Sequence, residues 1–210
     1  TPRHSVMSDT DSSDDSDQDS KSWIDTYLEQ PFGDWFCHVP SNFASNGFNT
    51  FGIGVDQAHA KSAFNILLGS DGNSSDSFDS DSEDEIEECT VKIFCLIHAR
   101  YIFTTDGLNE MRRKYQDGVF GSCPRYSCNG QNLLPVGMSD KPGVDFVKVY
   151  CPCCKQIYEA DDVHSCIDGA FFSKSFPHYL LMVMNQLKNE KNHTIDTTGG
   201  NHMHAIGMKK

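Results

Sequence analysis

Residues 123–154 hold five cysteines in two clusters. The stretch CPRYSC places Cys123 and Cys128 with four residues between them, and CPCC places Cys151, Cys153 and Cys154 within four positions. Thiolates suit zinc, which prefers a closed tetrahedron with Zn–S bonds of about 2.3 Å. Two residues between ligands let a chain fold over the ion and turn backbone N–H groups toward the sulfurs. Cys151 and Cys154 have that spacing. Cys153 adjoins Cys154 and would need a strained turn to reach the same ion. The expected ligands are therefore Cys123, Cys128, Cys151 and Cys154, with zinc as the metal and Cys153 as a spare thiol. A site closed by four thiolates leaves no position for water, which makes it structural rather than catalytic. Five ordinary thiols are the plain alternative, and two paired motifs argue against it. A redox Cys-x-x-Cys would open a helix beside a βαβ unit, and no such unit is visible. Four thiolates on a divalent ion carry a net charge of about −2. Arg125, Lys148 and Lys155 lie near enough in sequence to offset it.

The remaining reactive side chains read more plainly. Cys37, Cys89, Cys95 and Cys166 are expected to be packing residues, and His98 a satisfied core histidine. His164 lies near the cysteine motif but is not added to the site. His193, His202 and His204 belong to a polar C-terminal stretch. Ser12, Ser16, Ser22, Ser80 and Ser82 each have an acid three residues on, a pattern that suits a kinase with a basic substrate groove. Phosphorylation there would add roughly two negative charges per site. A solubilising acidic run accounts for the same composition. No Gly-rich phosphate loop, nucleophile–base pair or kinase motif set is apparent.

The elements around the cysteines follow from periodicity. Residues 22–30 form a short helix capped by Ser22, with Trp23, Ile24, Tyr27 and Leu28 on one face. Residues 34–54 are irregular and anchored by aromatics, with one helical turn near 41–45. Apolar spacing predicts a helix over 55–69 ended by Gly69. Residues 71–88 are an acidic loop that turns helical near Ile86. ECTVKIFCLIHARYIFT is apolar almost all round, as a central buried helix must be. Thr105 caps a further helix closed by Gly118. After residue 119, LLPVG, VDFVKVYC and KQIYEA read as short strands separated by turns. Apolar residues on both faces of VDFVKVY predict a strand covered on both sides.

The chain has 210 residues and a net charge of −13, with six acids in 9–19 and nine in 71–88, half of the thirty. That balance opposes a general role on nucleic acid, where affinity comes from Lys and Arg. It favours basic partners. The charges of 118–159 nearly cancel, so the cysteine region offers no basic stripe. No run approaches the ~18 apolar residues of a membrane span. An odd cysteine count, and a Ser/Asp-rich stretch over 1–20 with no apolar core, point to a reducing compartment, cytoplasmic or nuclear.

LIHARYIFT, MRRKYQDGVFGSCPRYSC, LLPVGMSDKPG, VKVYCPCC and DGAFF…FPHYLLMV together resemble the regulatory (beta) subunits of casein kinase II, over about residues 22–184. The resemblance implies an α+β chain, a helical N-terminal region plus a small antiparallel zinc ribbon, with Cys123, Cys128, Cys151 and Cys154 on the zinc. Composition alone makes 1–21 a disordered acidic tail and 185–210 a polar C-terminal tail, and the resemblance implies a helical region over 22–118 with its acidic loop at 69–88 and a ribbon and dimerisation region over 119–184. It further implies a non-catalytic homodimer that docks two catalytic (alpha) subunits as a heterotetramer, largely through aromatic anchors in a C-terminal segment, and an acidic loop that binds polyamines or basic proteins. Three features depart from the family: the Ser/Asp extension before Trp23, the Ser/Asp-rich loop, and a tail with no aromatic residue after Tyr179. These resemble a divergent paralogue of the Stellate type. They keep a second function open, a zinc-ribbon dimer that self-associates or sequesters partners with weak or lost kinase docking.

Overall fold

The computed structural model describes residues 21–54, 57–69 and 80–198, with side chains left undescribed at 57, 80–82 and 188–198. The expected tail at 1–20, most of the acidic loop, Ser12, Ser16, His202 and His204 lie outside the described residues.

The first helix, α1 (Trp23–Leu28), starts where expected. The Ser22 hydroxyl accepts from the Asp25 amide at 3.1 Å, which satisfies one of the open N–H groups of the first turn. The chain then doubles back so closely that a Cβ on Gly33 would lie 2.2 Å from the Leu28 carbonyl oxygen. That turn feeds Trp35, Phe36, Cys37 and Val39 into the core. Two single turns follow, α2 (Ser41–Ala44) and α3 (Gly47–Thr50), and then α4 (Gln57–Leu67), which buries Ala63 and Leu67.

The central helix, α5 (Ser80–Tyr101), is longer than its apolar segment. It begins inside the acidic run, six residues before Ile86, where a loop is expected. Acidic side chains are favourable in the first turns of a helix, because they face the positive end of its dipole. Its buried positions recur at 86, 89, 90, 93, 94, 95, 97, 98 and 101, and the stretch from Ile93 to His98 is nearly enclosed. Aromatic rings lock α5 to the N-terminal segment and to residues 169–172: Tyr27 lies 5.2 Å from Phe94, and His98 5.4 Å from Phe172.

The next helix, α6 (Thr105–Asp117), is capped by Thr104 rather than Thr105. The Thr104 hydroxyl accepts from the Gly107 amide, and Thr105 is already in the first turn. Gly118 closes the helix in the left-handed conformation at φ 77°.

Past Gly118 the chain forms a three-stranded antiparallel sheet in the order β1 (Leu134–Val136), β2 (Lys148–Tyr150), β3 (Ile157–Glu159). Leu134 pairs with Tyr150, and Tyr150 with Ile157. Helices and sheet together give the expected α+β class. On the expectation for β2 the structure makes one correction. Val147 and Val149 are 1% and 4% exposed and belong to the chain's own core, and Tyr150 packs on His178. Within β2 the opposite-facing Val149 and Tyr150 are both buried, but the residues leading into it are not: Val144 and Phe146 are 61% and 56% exposed, so one face of VDFVKVY is left uncovered by its own chain at its start. Gly137 and Gly169 cross at such close range that a Cβ on Gly137 would lie 2.1 Å from the Gly169 carbonyl oxygen.

The last helix, α7 (Phe176–Thr198), corrects a second expectation. It runs through residues 185–198, which read as tail. That stretch holds no Gly or Pro, and its Gln, Leu, Lys and Glu residues are good helix formers. Residues 199–210 lie outside the described residues.

Candidate metal centre

Each cysteine pair sits in a tight reversal of the chain. In the first, the Cys123 amide donates to the Gln131 carbonyl at 2.8 Å and the Cys128 amide to the Arg125 carbonyl at 2.9 Å. Asn129 and Gly130, just past Cys128, take left-handed conformations at φ 50° and 70°. In the second, the Lys155 amide donates to the Cys151 carbonyl at 2.8 Å, and Cys151 pairs with Gln156 at 2.9 Å. Lys155 is left-handed at φ 60°. Asn tolerates that conformation and Lys does so only at a cost, so the second turn is held by its surroundings. The four-residue gap of the first pair is accommodated by a 3-10 turn over Tyr126–Cys128.

The two turns meet. The sulfurs of Cys123, Cys128, Cys151 and Cys154 all lie within 4.8 Å of one another. Cys123 Sγ is 3.8 Å from Cys154 Sγ, and Cys151 Sγ is 3.9 Å from Cys128 Sγ. A tetrahedron with metal–sulfur bonds of about 2.3 Å has edges of about 3.8 Å. The four sulfurs therefore fit a tetrahedral thiophilic ion, and they do so across the two turns rather than within either. Cys153 is exposed and stands outside the group.

Electrostatics divide the four. The Tyr158 hydroxyl, 3.3 Å from Cys154 Sγ, is the main cause that pulls the Cys154 thiol down to about 6, aided by the Gln156 amide against burial. Burial pushes Cys123 up, but the Arg125 amide and Tyr158 outweigh it and the net shift is downward. Burial pushes Cys128 and Cys151 up. A divalent ion at the centre would erase that division, because every coordinating thiol is deprotonated outright.

Several other expected residues are placed differently. Lys148 does not face the sulfurs; it pairs with Glu159 at 2.6 Å and Asp145 at 3.7 Å. Cys37, Cys89 and Cys95 are buried as expected, whereas Cys166 is exposed and is not a packing residue. His98 is a satisfied core histidine: its Nε2 accepts from the Cys37 amide at 3.0 Å, and its Nδ1 lies 3.2 Å from the Phe171 carbonyl oxygen. His164 lies apart from the metal cluster, buried between Asp161 and Asp34 at 2.7 and 2.8 Å and stacked on Trp35.

Two polar contacts have no counterpart in the sequence reading, the Tyr158 hydroxyl on the sulfurs and the carboxylate pair around His164. The first had a signal, since a tyrosine four residues after the last cysteine of a turn re-enters the sheet beside it. The Asp34–His164 contact spans 130 positions and had none. One cleft of about 350 Å³ lies along the C-terminal half of α5 and another of about 390 Å³ lies between residues 40–49 and the start of α6, and their linings contain no His or Cys. Among the described residues no helix is long and apolar enough to cross a membrane.

Comparison with known proteins gives one answer. The family described as casein kinase II regulatory subunit matches residues 22–199. Casein kinase II subunit beta of Schizosaccharomyces pombe is 39% identical over 181 residues, which cover 84% of this chain and 75% of that protein. Casein kinase II subunit beta' of Drosophila melanogaster is 38% identical over 79% of this chain and 75% of its own length. Casein kinase II subunit beta-3 of Arabidopsis thaliana is 37% identical over 84% of this chain, and the match spans 64% of the Arabidopsis protein.

Proposed function

This chain belongs to the casein kinase II regulatory subunit family, whose members are non-catalytic, and from that premise we infer that it acts as a zinc-dependent homodimer that binds and modulates the kinase catalytic subunits. The observation that carries this reading is the cluster of four sulfurs drawn from two turns. Cys123, Cys128, Cys151 and Cys154 are its proposed ligands and zinc its proposed metal. The ion would supply no reaction step. It would tie the two reversals together, and because the ligands must be ordered to bind it, its binding energy becomes folding energy, about 10 kcal/mol or more in small zinc peptides.

Dimerisation through the ribbon is supported by the apolar side chains it leaves uncovered. Val144 and Phe146 precede β2, Ile157 is in β3, Val163 follows it, and all four are exposed. A symmetric pair of chains is the commonest way to cover such a surface. A heterotetramer with two catalytic subunits follows from the family resemblance. Polyamines or basic proteins at the acidic run 71–88, phosphorylation among Ser12, Ser16, Ser22, Ser80 and Ser82, and residence in cytoplasm or nucleus belong to the same proposal.

One observation favours weaker docking than in a typical family member. Residues 180–210 contain no Phe, Tyr or Trp. Loss of one aromatic anchor costs about 2 kcal/mol, roughly thirtyfold in affinity. Sedimentation of the purified chain with and without a zinc chelator tests the core of the proposal. One zinc per chain and a dimer that collapses on chelation are expected. A metal-free soluble monomer at micromolar concentration would overturn it.

A further inference from the structure

We propose that Tyr158 is an outer partner of the metal centre, donating its hydroxyl hydrogen to the thiolates of Cys154 and Cys123 and so joining the two turns that carry them. This inference rests on the metal-centre reading. The hydroxyl oxygen lies 3.3 Å from Cys154 Sγ and 3.7 Å from Cys123 Sγ. A metal-bound thiolate has no proton to give, so the phenol must be the donor. One hydrogen cannot serve two acceptors at full strength; Cys154, the nearer, takes the larger share.

The backbone leaves the side chain little choice. Tyr158 is the middle residue of β3 and pairs across the ladder with buried Val149. Its neighbours Ile157 and Glu159 are exposed on the other face, while its ring packs against the core. The strand therefore aims the ring back over the turn it has just left. Cys123 belongs to the first turn and Cys154 to the second, so this one side chain touches both halves of the site. Drawing electron density from two of four thiolates reduces the excess negative charge of the centre. It also makes those sulfurs poorer nucleophiles toward alkylating agents. Such outer partners typically change metal affinity by about 10–100-fold.

A purely structural tyrosine would be replaceable by phenylalanine, which keeps the ring and loses only the oxygen. The 210-residue chain and its Tyr158→Phe variant should be loaded with zinc or with cobalt(II). Zinc affinity is read by chelator competition, thiol reactivity by N-ethylmaleimide, and donation to the sulfurs by the thiolate-to-cobalt charge-transfer band. The variant should bind zinc about tenfold more weakly, release it faster under alkylation, and shift the charge-transfer band to lower energy with the tetrahedral d–d bands in place. Unchanged affinity and an unchanged band would overturn the proposal. Should the variant fail to fold, 3-fluorotyrosine at position 158 decides. It is a stronger donor of the same shape, so the band should move to higher energy, and no movement would overturn the proposal. A wild-type chain that takes up neither zinc nor cobalt would instead refute the metal-centre reading.

Discussion

Acidification should unlatch the core at His98. The ring is wholly buried on α5 and holds two other segments at once, the Cys37 amide on Nε2 and the Phe171 carbonyl on Nδ1. That arrangement requires the neutral ring with its proton on Nδ1, since a proton on Nε2 would confront the Cys37 N–H. Burial is the main cause that lowers its pKa from 6.5 to about 3, against the pull of the Phe171 carbonyl. The folded state thus binds fewer protons at this site than the unfolded state between about pH 3 and 6.5. Stability from the neutral ring is fully present above the unfolded value and is lost as the pH falls through this window. At about 1.4 kcal/mol per pH unit, the loss is roughly 2 kcal/mol by pH 5 and at most ~5 kcal/mol by pH 3. His98→Phe fills the space and cannot titrate. It should be less stable at pH 7, by about 2–4 kcal/mol, because it strands a buried N–H and a buried C=O. Its stability should nevertheless fall about 2 kcal/mol less than that of the wild type between pH 7 and 5. Urea unfolding of both proteins at matched pH gives the comparison, and the carboxylates and metal thiolates cancel in the difference. Equal pH slopes would refute the reasoning.

Three further outcomes follow from particular contacts. Cys154→Ser should lose zinc and solubility while Cys153→Ser keeps both, as elemental analysis of the purified proteins would show; the reverse pattern would reassign the ligands. Phe146→Asp should separate the proposed dimer into folded monomers by sedimentation, whereas Val149→Asp should unfold the chain, because only the second side chain lies in its own core. Gly137→Ala should lower thermal stability by an amount typical of an overpacked core, about 1–3 kcal/mol or more, since the new methyl meets backbone at 2.1 Å.

The cysteine turns and the helices were legible because local rules govern both. Ligand spacing identifies a metal turn without knowledge of the fold, and the structure brings those same four sulfurs together. The caps at Ser22 and Gly118 were equally local. Boundaries failed where no strong breaker stood. The start of α5 at Ser80 and the run of α7 to Thr198 both pass through polar sequence that reads as loop or tail. Exposure failed where it depends on distant chain. Nothing near Cys166 announces that it faces solvent, and nothing in VDFVKVY separates the buried Val147 from the exposed Phe146. The pairing of His164 with Asp34 joins the helical region to the segment after β3, and only the assembled fold brings them together.

Light scattering on the zinc-loaded chain, alone and mixed with purified casein kinase II catalytic subunit, tests the central claim most directly. The account predicts a dimer alone and, in the mixture, a complex with the mass of two chains and two catalytic subunits, formed at micromolar concentration. A catalytic subunit that elutes unbound at every ratio, beside an intact zinc dimer, would contradict the regulatory-subunit role.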